Sequence, residues 1–238
     1  MDKAILITGA AARIGRVLTC GLADDGWRVA IHYNNSGEAA QKLADEIDNA
    51  LIVQADLTKT EAVETLVDRC VKALGAPLTA LINNASTYIP DSAKDYNGDD
   101  FDTHLAVNLK APLALAKQFA QHVAQGEKGC IINLIDQRVL RPSPEFFTYG
   151  VSKSALYAAT KTMAQTFAPN IRVNAIGPGP TLKSIYQSNT EFMDEAKNTL
   201  LGEGSPPDTI LHAVRYLLSA SAVTGQMICA DGGQHLGD

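Results

Sequence analysis

The sequence predicts an α/β fold in which one domain, residues 1–238, holds a doubly wound parallel sheet of about seven strands with helices on both faces. Two observations lead to this fold class. Short, nearly continuous apolar runs recur along the chain, as in parallel strands covered on both faces. Amphipathic stretches of helical period separate these runs, so the β-α order repeats six times and closes on a strand.

The apolar runs mark the strands, because each has the length of a buried strand and ends at glycine, asparagine or another polar residue. In chain order the predicted strands are Ala4–Thr8, Arg28–His32, Leu51–Gln54, Ala80–Asn83, Cys130–Leu134, Arg172–Ala175 and Met227–Ala230. The intervening segments place apolar residues on one helical face. They predict the helices Ile14–Asp24, Gly37–Ile47, Thr60–Leu74, Phe101–Ala124, Phe147–Phe167 and Pro207–Ser219.

Composition narrows the classes of function. Hydrophobic residues form 46% of the chain and the net charge is -6, with no basic patch that would bind nucleic acid. No apolar run is long enough to span a membrane, so we expect a cytoplasmic protein. The four cysteines lie far apart in sequence and we find no metal-ligand cluster, so we expect no metal.

The first strand leads directly into a turn of small residues. Gly9 and Gly15 bracket this turn, and Arg13 and Ile14 lie between them at the start of the first helix. Small residues let the backbone approach a pyrophosphate, and the helix N-terminus offers free N–H groups to it. The position predicts dinucleotide binding in a Rossmann-type domain, although an ordinary strand-to-helix turn would look similar.

The end of the second strand bears on the choice of dinucleotide. An acidic residue about 20 positions past the glycines is typical of NAD sites, because it binds the ribose 2′-OH. Between the end of the second strand and Glu38 there is no carboxylate, and this absence favours NADPH (NADP+). A polar loop that contacts nothing remains an alternative. The segment consists of His32, Tyr33, Asn34, Asn35 and Ser36.

Polar residues follow two further strands at the same predicted edge of the sheet. Asp56 and Leu57 come after strand three, where the carboxylate is placed to bind the adenine amino group or to stabilise a turn. Asn84, Ala85 and Ser86 come after strand four, where they are placed to bind the ribose or to tie loops together. The residues alone do not decide between these alternatives.

Tyr149 and Lys153 predict the catalytic end of the site. Positions i and i+4 lie on one helix face, so the phenol and the ammonium are expected side by side. A neighbouring ammonium lowers the pKa of a phenol, and this would create a proton donor for a carbonyl or imine that receives a hydride.

Taken together, these motifs resemble the short-chain dehydrogenase/reductases over almost the whole chain. The matching positions are Gly9, Arg13 to Gly15, Asp56, Asn83 to Ala85, Asn108, Tyr149, Lys153, Pro178, Gly179 and Asp231 to Gly233. The resemblance implies that Asn108 supports a water relay to Lys153 and that Pro178 and Gly179 lie beside the nicotinamide. It also implies a homotetramer built on the helices 101–124 and 147–167 and on the last strand.

Two departures from the family pattern are similar to the pteridine reductases. Asp136 stands where the family has a catalytic serine, and Arg13 stands where it has glycine. Tyr88 stands at the position of an aromatic residue that stacks on the pterin, and Ser86 precedes it. The subgroup's arginine for the 2′-phosphate corresponds here to Asn35.

We therefore expect reduction of a dihydropterin to its tetrahydro form, with Tyr149 as proton donor. Arg13, Ser86, Tyr88, Asp136 and Tyr149 would bind the substrate, and residues 181–204 would form a lid over it. One alternative is a carbonyl reductase acting on a 3-oxoacyl thioester or a ketone, which Asp136 disfavours. Another is a protein that binds NADP without turnover, which the complete set of Asn108, Tyr149 and Lys153 disfavours.

Overall fold

The computed structural model describes residues 3–123 and 127–237 and contains a sheet of seven parallel strands. In chain order the strands are β1 (Ala4–Ile7), β2 (Arg28–Tyr33), β3 (Ala50–Gln54), β4 (Ala80–Asn83), β5 (Gly129–Leu134), β6 (Ile171–Pro178) and β7 (Met227–Ala230). Their order across the sheet is β3-β2-β1-β4-β5-β6-β7. The predicted single-domain, doubly wound fold is confirmed: β2 and β3 are added on one side of β1 and β4 to β7 on the other, so the strand order reverses between β1 and β4.

Helices cover both faces of the sheet. One face carries α1 (Arg13–Asp24), α2 (Gly37–Asp45) and α9 (Pro207–Ser219). The other face carries α3 (Thr60–Glu64), α4 (Leu66–Leu74), α6 (Ala111–His122) and α7 (Phe147–Phe167). Two more helices, α5 (Gly98–Leu105) and α8 (Asn189–Lys197), contribute no buried residue to the two core clusters of the described chain. Over the described residues, no helix is both long and apolar enough to cross a membrane.

Successive side chains along a strand point to opposite faces of the sheet, so each strand contributes to both hydrophobic cores. Leu6 of β1 faces the layer that contains α4 and α6, whereas Ile5 and Ile7 face the layer that contains α1 and α9. All three side chains are fully buried. Burying one such aliphatic side chain stabilises the fold by about 1.5–3 kcal/mol, so packing on both faces fixes β1, an interior strand.

The predicted strands differ from the structure mainly at their ends. Strand β1 ends one residue before the predicted Thr8, because the Thr8 hydroxyl accepts hydrogen bonds from the backbone N–H groups of Asn84 and Ala85 (both 3.0 Å). Strand β6 runs three residues beyond the predicted Ala175, to Pro178, because β7 pairs with it as far as Ala230. These ends place two loops at the same edge.

Two predicted helices are interrupted. The predicted helix Thr60–Leu74 divides at Thr65 into α3 and α4, and the Thr65 hydroxyl bonds to a carbonyl of the preceding turn. The predicted helix Phe101–Ala124 begins earlier, at Gly98, because the Asn97 side chain caps the Asp99 N–H at 2.9 Å. A π-helical segment, Ala106–Lys110, separates α5 from α6, which ends at His122. The predicted end at Ala124 lies outside the described residues.

Helix α2 also ends two residues before the predicted Ile47, and α1 begins one residue before the predicted Ile14. The sequence prediction contained no helix between Thr181 and Gly204, yet α8 forms there. Its start is fixed by a reciprocal capping box between Ser188 and Glu191. That spacing of serine and glutamate was visible in the sequence.

Candidate active site

A cleft of about 850 Å³ opens at the carboxyl ends of the strands, where the strand order reverses between β1 and β4. Ligands of doubly wound sheets bind at such points. With one exception, Asn108, all the predicted site residues line this cleft. They are Gly9, Arg13, Ile14, Gly15, His32, Tyr33, Asn34, Asn35, Ser36, Asp56, Leu57, Asn84, Ala85, Ser86, Tyr88, Asp136, Tyr149, Lys153, Pro178 and Gly179.

The turn after β1 leaves room for a phosphate. Gly9 has a positive φ of 61°, and a Cβ there would lie 2.9 Å from the Cα of Ala85, so a larger residue does not fit. The Asn84 amide donates to the carbonyls of Thr8 (2.8 Å) and Gly9 (3.0 Å) and so holds the turn. No side chain caps the N-terminus of α1 at Ala12, which leaves its first N–H groups for an anion.

His32 has a different place from its polar neighbours. Its ring is buried, with Nδ1 accepting from the Gly9 N–H at 3.1 Å and Nε2 lying 3.1 Å from the carbonyl of Ala55. Burial lowers the pKa of His32 to about 4, so the ring is neutral and braces the turn. Asn34, Asn35 and Ser36 instead lie exposed at the rim of the cleft.

Ser36 occupies the N-cap position of α2 but makes no capping bond with its side chain. Its hydroxyl and the first turn of α2 therefore face the rim without an internal partner, a suitable arrangement for an anion. Asp56, on the next loop, accepts from the N–H (2.9 Å) and hydroxyl (2.8 Å) of Thr58 through Oδ1. These bonds lower the pKa of Asp56 and fix its carboxylate as a hydrogen-bond acceptor.

Arg13 joins the nucleotide turn to the segment from residue 181 to residue 204. Its guanidinium donates to the carbonyls of Leu182 and Lys183, both at 3.0 Å. Arg13 also has a positive φ of 54°, which non-glycine residues adopt rarely. In this structure the side chain binds the predicted lid, and the contact of Arg13 with phosphate and substrate stays a prediction.

Pro178 and Gly179 border the cleft at the end of β6. A Cβ at Gly179 would lie 2.6 Å from the Cα of Asp231, so this position requires glycine. The Asp231 carboxylate accepts from the backbone N–H groups of Gly233 (3.0 Å) and His235 (2.8 Å). Asp231 thus shapes the C-terminal turn that supports this side of the cleft.

Asp136, Tyr149 and Lys153 meet at the centre of the cleft. The Tyr149 hydroxyl donates to Asp136 Oδ2 at 2.9 Å, and Lys153 Nζ donates to the carbonyl of Leu134 at 2.8 Å. Asp136 follows β5 and also accepts from the N–H of Arg138 at 2.8 Å through Oδ1. The two bonds orient the carboxyl group toward the phenol.

Burial sets the ionisation of this group. It raises the pKa of Tyr149 well above its usual range, and the neighbouring Asp136 raises it further. Burial also raises the pKa of Asp136 and lowers the pKa of Lys153 to about 8. The prediction that Lys153 would lower the pKa of Tyr149 is therefore wrong here, because burial and Asp136 outweigh the ammonium. Tyr149 is a neutral phenol, the form that donates a proton.

Asn108 lies behind this group, in the π-helical segment, and is fully buried. Its Oδ1 accepts from the Thr87 N–H (2.9 Å) and the Ser86 hydroxyl (3.1 Å), and its Nδ2 donates to the Thr87 carbonyl (3.0 Å). Nδ2 also donates to the hydroxyl of Ser152 on α7 at 3.1 Å. Asn108 thus links the loop after β4 to α7, the helix that carries Tyr149 and Lys153.

Tyr88 belongs to an aromatic cluster that the sequence did not reveal. Its ring stacks on Phe146, with centroids 4.0 Å apart and planes inclined by 10°, and meets Tyr149 edge to face at 4.8 Å. Arg138 Nη1 donates to the Tyr88 hydroxyl at 3.1 Å. Phe146 and Arg138 have no periodic or motif signal, so only the folded structure brings them to Tyr88.

The residues 9–235 match the family model described as enoyl-(acyl carrier protein) reductase. A short-chain dehydrogenase/reductase from Armillaria gallica is 31% identical over 97% of this chain and 95% of its own length. The chain belongs to the short-chain dehydrogenase/reductase family. It is therefore an oxidoreductase, as the sequence motifs predicted.

Solved structures of the family add a more specific likeness. The alternative dihydrofolate reductase FolM from Brucella suis, in complex with NADP, is 40% identical, with a TM-score of 0.96. The alignment covers 100% of this chain and 96% of that one. The NADP complex of FolM from Brucella canis is 38% identical, with a TM-score of 0.94 and the same coverage of both chains.

Proposed function

We propose that this protein is an NADPH-dependent reductase that converts a dihydropterin to its tetrahydro form. The observation that carries the proposal is the hydrogen bond between the Tyr149 hydroxyl and Asp136 Oδ2. A carboxyl group in contact with the proton donor suits a ring nitrogen that must gain a proton. A serine at this position would suit the oxyanion of a ketone. The likeness to FolM supports the same substrate class.

NADP(H) is the cofactor, and the residues of the cleft fit it. The Gly9 turn and the uncapped start of α1 would hold the pyrophosphate. The exposed loop of Asn34, Asn35 and Ser36 has no carboxylate to repel a 2′-phosphate. Both FolM structures are NADP complexes, which supports the choice of NADP over NAD. When bound, the cofactor supplies the hydride.

The chain's own residues supply the proton. Tyr149 donates the phenolic proton to the nitrogen of the substrate's C=N bond as the neighbouring carbon gains the hydride. The phenolate that forms beside Asp136 favours uptake of one proton from water by this carboxylate, whose pKa is raised by burial, and Asp136 then passes that proton to Tyr149 across their contact. The Lys153 ammonium, fixed by the Leu134 carbonyl, offsets the negative charge that passes through this pair.

Tyr88 and the segment of residues 181–204 would complete the substrate site. Tyr88 presents an aromatic ring beside Tyr149, suited to a flat heterocycle. We propose that residues 181–204 act as a lid, because several of them line the cleft and Arg13 holds two of their carbonyls. A closed lid would exclude water from the reacting atoms.

The direct test is NADPH oxidation, followed by absorbance, with 7,8-dihydrobiopterin and a 3-oxoacyl thioester assayed in parallel. We expect turnover of the dihydropterin at a kcat/KM at least 100-fold above that of the thioester. Turnover of the thioester alone would contradict the proposal and would support the second candidate function. Absence of turnover with any substrate, despite NADPH binding, would instead favour a non-catalytic NADP-binding protein.

The second candidate is reduction of a thioester-bound acyl chain. It is favoured by the family model, whose description names an enoyl-(acyl carrier protein) reductase, and such acyl chains are carried as thioesters. An enoyl thioester therefore belongs in the same assay. Asp136 argues against this candidate, because a carboxylate beside Tyr149 would repel the enolate or alkoxide oxygen that forms during such a reduction.

The pKa of Lys153 predicts a pH dependence. This pKa is lowered to about 8, below the ordinary value for lysine, so the ammonium is present below pH 8 and is lost as the pH rises above it. If the ammonium supports Tyr149 and Asp136 as proposed, kcat/KM for NADPH should fall about tenfold per pH unit above pH 8. A profile that stays flat from pH 7 to pH 10 would contradict this role.

The proposal also includes a homotetramer in the cytoplasm, with α6, α7 and β7 as interface elements. Val151 on α7 and Leu236 near the C-terminus are exposed in the single chain, as residues of such an interface would be. Analytical ultracentrifugation would give the mass of the assembly directly.

A further inference from the structure

Arg138 differs from the other arginines near the cleft. Its guanidinium is half-buried and lines the cleft two residues after Asp136. Over residues 3–123 and 127–237, the one hydrogen bond of this guanidinium joins Nη1 to the neutral hydroxyl of Tyr88 at 3.1 Å. Among the described residues no carboxylate lies within 4.0 Å of it, whereas Arg16 pairs with Glu46 at 2.6 Å. A guanidinium has five N–H donors, so most of those of Arg138 remain available.

The neighbours of Arg138 keep its guanidinium at the cleft wall. The carbon of the guanidinium lies 5.3 Å from the centre of the Phe146 ring and 6.0 Å from that of Tyr88. Cation–π attraction at these distances holds the group without using its N–H donors. The aromatic cluster therefore positions a cation beside the place proposed for the pterin ring.

Asp136 and Glu195 are the carboxylates whose charges act on Arg138, and in the described part of the chain neither forms an ion pair with it. Glu195 on α8 lines the same cleft, but both of its carboxylate oxygens accept hydrogen bonds from amides. Gln187 Nε2 donates to Oε2 at 2.6 Å, and Gln234 Nε2 donates to Oε1 at 3.0 Å. These two bonds hold the Glu195 carboxylate against Gln187 of the lid and Gln234 of the C-terminal turn, so its oxygens are already engaged by amides.

We propose that Arg138 is an anion-binding subsite for the tail of the substrate, so that this enzyme prefers pteridines with a carboxylate-bearing side chain. The inference rests on the proposed function. A carboxylate would take the free edge of the guanidinium in a two-point hydrogen bond. The pterin ring would lie at Tyr88 and Tyr149, and the tail would extend past Arg138 toward the lid.

The test compares two dihydropterins that share the ring and differ in the tail. 7,8-Dihydrofolate carries a glutamate with two carboxylates, whereas 7,8-dihydrobiopterin carries an uncharged dihydroxypropyl group. We expect Arg138→Met to raise the ratio of KM for dihydrofolate to KM for dihydrobiopterin by about 10- to 100-fold, because charge-assisted hydrogen bonds are lost for one tail only. Arg138→Lys keeps the charge and should raise the ratio less.

Two control variants separate this role from others. Tyr88→Phe removes the same hydrogen bond but keeps the guanidinium, so it should change KM for both substrates alike. Arg141→Met removes an exposed arginine of the same segment, whose Nη1 donates to the Gln234 carbonyl at 3.3 Å, and should leave the ratio unchanged.

The outcomes distinguish the two proposals. If the wild-type protein reduces neither dihydropterin, the proposed function fails. If it reduces both and Arg138→Met shifts both KM values equally, or if it reduces dihydrobiopterin alone, the anion subsite is overturned and the proposed function stands.

Discussion

Replacing Tyr149 by phenylalanine is expected to lower kcat for dihydropterin reduction by on the order of 10³-fold. The change removes one oxygen, the group that donates to Asp136 Oδ2 at 2.9 Å and would donate to the substrate. General acid catalysis by a positioned side chain typically contributes 10²- to 10⁴-fold, and no other hydroxyl contacts Asp136 in the part of the chain that the structure describes. Single-turnover rates with NADPH would measure the loss.

NADPH binding provides the control for this variant. Fluorescence titration should give a Kd for NADPH within a few fold of the wild-type value, because the phosphate-binding turn at Gly9 lies on other elements. Phenylalanine also keeps the edge-to-face contact with Tyr88, so the unfolding temperature should change little. Near-normal kcat in Tyr149→Phe would show that another group donates the proton.

The fold was predictable from sequence because its signals are local. The continuous apolar runs of β4 and β7, and the periodic stretches of α7 and α9, have the predicted bounds in the structure. The π-helical segment at Ala106–Lys110 was not predictable, because one extra residue in a helical turn hardly alters the apolar period. That segment carries Asn108, so the missed irregularity lies at a proposed functional residue.

The site was predictable in its members but not in its contacts. The resemblance named Arg13, yet its partners Leu182 and Lys183 lie 169 and 170 positions away in sequence, and no local pattern indicates such a pairing. Likewise, the i, i+4 spacing predicted that Tyr149 and Lys153 lie on one face of the helix. It gave no measure of how strongly burial would raise the pKa of the phenol.

The second large effect is expected for Asp136→Ser, which restores the family's usual residue. The variant should lose on the order of 10²-fold in kcat/KM for the dihydropterin, because serine has no carboxyl group to return a proton to Tyr149. Asp136 also raises the pKa of Tyr149, through its charge and its hydrogen bond. Its removal therefore makes the phenol a stronger acid, which favours a ketone or thioester substrate.

The measurement is kcat/KM for 7,8-dihydrobiopterin and for a 3-oxoacyl thioester, with the wild type, Asp136→Ser and Asp136→Asn in parallel. Asp136→Asn is the matched control, because it keeps the size of the side chain and an acceptor for the Arg138 N–H while removing the acid. It should lose dihydropterin reduction as the serine variant does, and it should gain less on the thioester than the serine variant, because it removes the charge but supplies no hydroxyl for the oxyanion. Equal losses on both substrates in Asp136→Ser would mean that Asp136 stabilises the site without selecting the substrate. The hydrogen bond to Tyr149 would then no longer support a pteridine over a carbonyl substrate.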